Sequence, residues 1–117
     1  MRKLLATLTI LLLTACTTPD EMRFEIDEYI DTYTVTTEDI FGESAEGGEI
    51  TKYFEGKQLK KSEETYYGET GKSIIQLYYN KGEVFLEIKT KYTYNTSITS
   101  PDFDESKTVK AETVIYH

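Results

Sequence analysis

Lys72-Ser73-Ile74-Ile75-Gln76-Leu77-Tyr78-Tyr79-Asn80-Lys81-Gly82-Glu83-Val84-Phe85-Leu86-Glu87-Ile88-Lys89-Thr90-Lys91-Tyr92-Thr93-Tyr94-Asn95 is the stretch that decides the fold. Its second half alternates strictly. Val84, Leu86, Ile88, Thr90, Tyr92 and Tyr94 share one face, and Glu83, Phe85, Glu87, Lys89, Lys91 and Thr93 share the other. A period of two with one apolar and one charged face describes a half-buried antiparallel strand. The first half divides into Ile75, Leu77 and Tyr79 against Ile74, Gln76 and Tyr78. Asn80-Lys81-Gly82 between the halves is a hairpin signal, because glycine supplies the left-handed backbone that a tight turn needs.

Working outward, the same pattern of short strands and glycine turns runs from Glu49. Strands are expected at Glu49–Phe54, Lys57–Tyr67, Lys72–Asn80, Glu83–Asn95 and Lys107–Tyr116, with turns at Glu55-Gly56 and Gly68-Glu69-Thr70-Gly71. Residues 96–106 and 36–48 are polar and aperiodic and are read as loops, with Ile40-Phe41 as a possible anchor onto the core. The chain stops one residue past Tyr116, on the apolar residues of its last strand. That ending fits either a strand at the sheet edge or a reading frame cut short.

Upstream, the period changes. Thr18-Pro19-Asp20-Glu21 places a capping threonine, a proline at the first helical position and a glutamate three residues after the cap. Met22, Ile26, Tyr29, Ile30 and Tyr33 follow at helical spacing, so a helix is expected over 19–33, ended by the β-branched run Thr34-Val35-Thr36-Thr37. A helix block followed by a strand block predicts an α+β domain: one N-terminal helix packed on an antiparallel meander of about five strands.

The first sixteen residues are of another kind. Met1-Arg2-Lys3 is basic, Leu4 to Leu13 carry no charge, and Thr14-Ala15 are small. This is the form of a secretory signal, and the run is too short for a membrane span, which needs about 20 apolar residues. Leu13-Thr14-Ala15-Cys16 resembles the lipobox of bacterial lipoproteins. The resemblance implies that residues 1–15 are removed, that Cys16 carries a diacylglyceryl group and often an N-acyl chain, and that residues 16–18 tether a single domain over 19–117. It also implies an envelope address. Thr17 is not the aspartate that retains such proteins at the inner membrane of enteric bacteria, so the outer membrane is expected, facing the periplasm or the cell surface. The run Tyr66-Tyr67-Gly68-Glu69-Thr70-Gly71-Lys72, with Gln76 to Phe85 behind it, resembles small predicted lipoproteins of the Bacteroides group. In these a short helix precedes a β-meander, and no activity is carried over from them.

Composition narrows the chemistry. The 117-residue chain has a net charge of −8, and loss of residues 1–15 takes Arg2 and Lys3 with it. So acidic a surface disfavours nucleic acid and anionic lipid headgroups. Cys16 is the only cysteine and His117 the only histidine, so no disulfide, thiolate metal site or histidine-activated serine is expected. Asp102-Phe103-Asp104-Glu105 and the glutamates 43, 46 and 49 offer oxygens but lack the spacing of a calcium loop. Glu63, Glu64 and Glu69 sit in text where ionised surface carboxylates are ordinary. Lys72 after Gly71 lacks the upstream glycine of a phosphate loop. No metal, cofactor or enzymatic activity is therefore expected.

Ten tyrosines suit a recognition surface. Tyr66, Tyr78 and Phe85 are the binding candidates if their faces stay open, whereas the apolar helix residues favour burial of one sheet face beneath the helix. The expected function is a membrane-anchored binding module for an envelope protein or glycan. The alternative is a structural accessory subunit of an outer-membrane assembly, with an edge strand left open for pairing.

Overall fold

The structure, a computed structural model, describes residues 17–40 and 46–117. Cys16 and Phe41 lie outside the described residues. The fold is α+β, a helix followed by an antiparallel meander. The elements are α1 (Pro19–Glu28), a 3-10 turn (Ile30–Thr32), β1 (Thr34–Ile40), β2 (Gly48–Glu55), β3 (Gln58–Gly68), β4 (Gly71–Asn80), β5 (Glu83–Thr93), a 3-10 turn (Glu105–Lys107) and β6 (Val109–Tyr116). They form one sheet whose strand order is the chain order, β1 to β6.

Six strands stand where about five were expected. The addition is β1, in the segment read as helix terminator and loop. Six of its seven residues are exposed. With neither face covered, β1 needs no apolar alternation, and the pattern that marks the inner strands is missing.

The helix starts as its sequence dictates. The Thr18 hydroxyl accepts the Glu21 amide at 3.2 Å, and Pro19 opens the first turn. It ends at Glu28, well short of residue 33. Acidic residues crowd its last turn with no basic residue to offset the negative end of the helix dipole. The chain tightens into the 3-10 turn, where the Thr32 hydroxyl donates to the Tyr29 carbonyl at 2.7 Å.

Between β4 and β5, Lys81 (φ 52°) and Gly82 (φ 82°) both take positive φ, as a two-residue turn matched to the sheet twist requires. Just inside it the register slips. Tyr78 pairs with Leu86 but Tyr79 pairs with Val84, so Phe85 is the extra residue of a β-bulge. A second slip, between Tyr53 and Phe54, makes Lys60 the extra residue of β3. Strict alternation would put Phe85 on the face opposite Leu86. Instead its ring packs against the core.

That core is small: Ile26 from α1 with Tyr78, Leu86 and Ile88, flanked by Tyr33 and Phe85. The helix thus covers one end of one sheet face, crossing the strands near the β2–β3 and β4–β5 turns. The β3–β4 and β5–β6 connections lie at the other end. Strand β6 is an outer strand, exposed along all eight residues.

Candidate functional site

Cross-strand register sorts the helix-bearing face into rows. The row beneath α1 runs Tyr53, Lys61, Tyr78, Leu86, Tyr116. Tyr78 is 0% exposed, and its hydroxyl donates to both carboxylate oxygens of Asp27, at 3.1 and 3.0 Å. Lys61 is 7% exposed; its ammonium donates to Asp27 Oδ1 at 3.0 Å and lies 4.8 Å from the Tyr78 ring centroid. Arg23 Nε approaches Asp27 at 3.6 Å. Burial alone would lower the Lys61 pKa, but its bonds to Tyr78 and Asp27 outweigh that and leave it raised. The cluster is a polar rivet between helix and sheet in which Lys61 and Arg23 share the Asp27 carboxylate, and the buried Arg23 Nε makes no hydrogen bond.

The sequence candidates divide accordingly. Tyr78 is buried under the helix, and Phe85 is half-buried against it at 6.3 Å between ring centroids. Tyr66 is half-buried on the opposite face, and its hydroxyl donates to Glu64 at 2.7 Å. The three do not converge on one surface. The carboxylates of Glu63 and Glu69 are hydrogen-bonded too. Glu63 accepts from the Gln76 amide at 3.3 Å, and Glu69 accepts from Ser97 at 2.7 Å and Thr99 at 3.3 Å. Asp104 caps the 3-10 turn through the Ser106 amide at 3.0 Å. Among the described residues no three His, Cys, Asp or Glu side chains are placed to hold a metal ion.

A different row draws attention. At the end of the sheet away from α1, Tyr67 pairs with Lys72, Lys72 with Tyr92, and Tyr92 with Lys110. Directly paired residues share a face, so tyrosine and lysine alternate across four strands. The Lys72 ammonium lies 5.2 Å from the Tyr92 ring centroid and that of Lys110 6.0 Å from it, so both cations sit by one ring. No carboxylate lies within ion-pairing distance of either lysine among the described residues. In a chain this acidic, that pair of unneutralised cations is unusual.

The loop after β5 folds back beside this row and gives it depth. Asn95 closes the loop, donating to the Asp102 carbonyl and accepting the Asp104 amide, both at 2.9 Å. The Ile98 amide donates to the Glu69 carbonyl at 2.8 Å, tying the loop to the β3–β4 turn. Phe103 is thereby set edge-on against Tyr94, 5.3 Å between centroids. The result is a recess of about 430 Å³, walled by Tyr92, Tyr94, Ile98, Phe103, Lys72 and Lys110, with the carboxylate of Glu105 also in its wall, within the usual range for a ligand site. The buried Thr108 hydroxyl in its wall has no hydrogen-bond partner.

A second hollow of about 390 Å³ lies between the end of α1 and the sheet, lined by Met22, Ile26, Tyr33, Phe85 and others. Its walls are the rim of the core itself, as expected where a helix crosses a sheet obliquely. The recess draws on β4, β5, the following loop and β6, at the other end of the sheet from that core. No family model, curated protein or solved structure matches this chain, so its function is read from its own residues.

Proposed function

We propose that this chain is an envelope lipoprotein, related in kind to the small Bacteroides-group lipoproteins, and that it works as a non-enzymatic binding module for a protein or glycan. In this reading residues 1–15 are a signal peptide, lipid on Cys16 holds the protein at the outer membrane, residues 16–18 are the tether, and residues 19–117 form the binding domain. The observation that carries it is the place of the aromatic–lysine recess. Row Lys72–Tyr92 is six strand residues from row Tyr78–Leu86, about 20 Å at the rise of a β-strand. The N-terminal helix, which follows the proposed anchor in the sequence, sits at one end of the sheet and the recess at the other, which supports presentation away from the bilayer.

A photo-crosslinking residue at position 98, on the recess wall, tests this in intact cells. The expected result is an adduct to a glycan or protein that disappears in Tyr92→Ala. Only background adducts from position 98 would count against the module. The accessory-subunit reading is favoured by one observation, the full exposure of β6 on its outer side. It predicts adducts from position 113 on that strand and none from position 98.

A further inference from the structure

We infer that the recess takes an acidic saccharide, a linear glycan bearing carboxylates, laid across the strands over Lys72, Tyr92 and Lys110. This rests on the binding-module reading of the same recess and adds the chemical class of its ligand.

Three features select that class. First, Tyr92, Tyr94 and Phe103 offer ring faces and edges, and the flat C–H faces of a sugar ring pack on such surfaces. Second, two ammonium groups flank Tyr92, neither within ion-pairing distance of a carboxylate although Glu105 lines the same recess, at neighbouring strand positions about 4.8 Å apart per strand. A ligand whose ring rests on Tyr92 therefore places attached carboxylates beside a cation on either side. Third, the row runs across the strands. A peptide lying in that direction meets side chains only, and its amide groups find no sheet edge to pair with. A glycan has no such requirement, because its hydroxyls remain hydrated. The net charge of −8 sharpens the choice. It repels nucleic acid, whose duplex carries a charge about every 1.7 Å, more strongly than a sugar chain with one carboxylate per ring, which two local cations can hold.

The test is calorimetric titration of the full-length protein in detergent micelles with oligogalacturonate, its fully methyl-esterified form, and an oligoglutamate peptide. The ester keeps the shape of the sugar and removes its charge. Oligogalacturonate is expected to bind at least about tenfold more tightly than the ester, the size of one charge-assisted hydrogen bond, with a difference that shrinks as salt is added. The double variant K72M/K110M, which keeps the apolar stems of both side chains, is expected to bring acid binding down to ester binding. Y92A is expected to abolish both. Circular dichroism shows whether each variant keeps its fold, and the lysine double variant decides the matter if Y92A does not. Equal binding of acid and ester overturns the inference and leaves a binding module for neutral glycans. Tyr92-dependent binding of oligoglutamate alone also overturns it and points to a protein partner. Binding of none of the three probes overturns the inference; joined to an absence of adducts from position 98, it removes the module reading as well.

Discussion

Asp27→Ala should destabilise this protein far more than Lys61→Met, although each removes one member of the same ion pair. The asymmetry follows from where the two charges sit. The Lys61 side chain is 9% exposed and that of Asp27 is 35% exposed. Removing Asp27 strands a buried ammonium, leaves the buried Tyr78 hydroxyl without its acceptor, and deprives Arg23 of its nearest carboxylate. Breaking a buried pair in this way costs about 3–5 kcal/mol, and the partial exposure of the site puts the expected loss at the lower end, about 3 kcal/mol. For a domain near 100 residues that is a fall in Tm of roughly 15 °C. Removing Lys61 leaves Asp27 in contact with Tyr78, Arg23 and water, while methionine refills the volume of the lysine stem, so the loss should be about 1 kcal/mol or less. The double variant should be more stable than Asp27→Ala alone, with a coupling of about 2 kcal/mol. Urea unfolding of the parent protein, the two single variants and the double variant, followed by far-ultraviolet circular dichroism, measures all four corners of the cycle. Equal losses for the two single variants, or additive behaviour in the double, would refute the claim that the rivet is an asymmetric buried pair.

Stability should also fall on the alkaline side. Burial raises the pKa of Tyr33 and Tyr53, and the bonds Lys61 makes to Tyr78 and Asp27 leave its ammonium raised as well. The folded state therefore holds these protons more tightly than the unfolded chain, and the stabilisation is complete below the unfolded values and is lost as pH climbs past about 10. The urea midpoint should be flat through neutral pH and drop above that point; a rising midpoint would contradict the assignment. Gly71→Ala should cost about 2 kcal/mol, because an added methyl group would meet the Tyr92 carbonyl oxygen at 2.2 Å in a position with no slack. It should also shift the Tyr92 amide resonance, which a two-dimensional NMR spectrum reports. Cys16→Ala should abolish labelling by radioactive fatty acid and leave an unprocessed precursor; a variant still labelled and cleaved would end the lipobox reading.

The inner strands were legible because glycine turns separate them and β5 carries its apolar residues at every second position, as Leu86, Ile88 and Gly82 illustrate. What escaped had physical reasons. Strand β1 is threonine-rich and open on both faces, so no periodicity betrays it. Ile30 and Tyr33 continue the helical spacing past Glu28, although the chain has already turned into 3-10 geometry and then extended. The bulge that swings Phe85 onto the core depends on how β4 and β5 close, which alternation within one strand cannot express. The recess was hidden for the same kind of reason. Lys72, Tyr92 and Lys110 are unremarkable singly, and only the register between three strands sets them side by side. Phe103 lies among acidic residues in a polar loop, and nothing local indicates that the loop turns back onto Tyr94. Tyr78 showed its aromatic character but not its fate, since burial depended on which face the helix would choose.

Strand order matching chain order bears on the sequence of events as the polypeptide emerges N-terminus first. Each new strand finds its partner in the one just completed, so the sheet can grow hairpin by hairpin with short loop closures. The helix is the exception. It is made before any strand, yet Ile26 has nothing apolar to rest on until Tyr78, Leu86 and Ile88 have appeared, and Asp27 waits for Lys61 and Tyr78. A helix of ten residues is too short to persist unsupported in water. The N-terminal helix is thus among the earliest segments to emerge and among the last to be secured, and the ordering of α1 reports that the fourth and fifth strands have arrived.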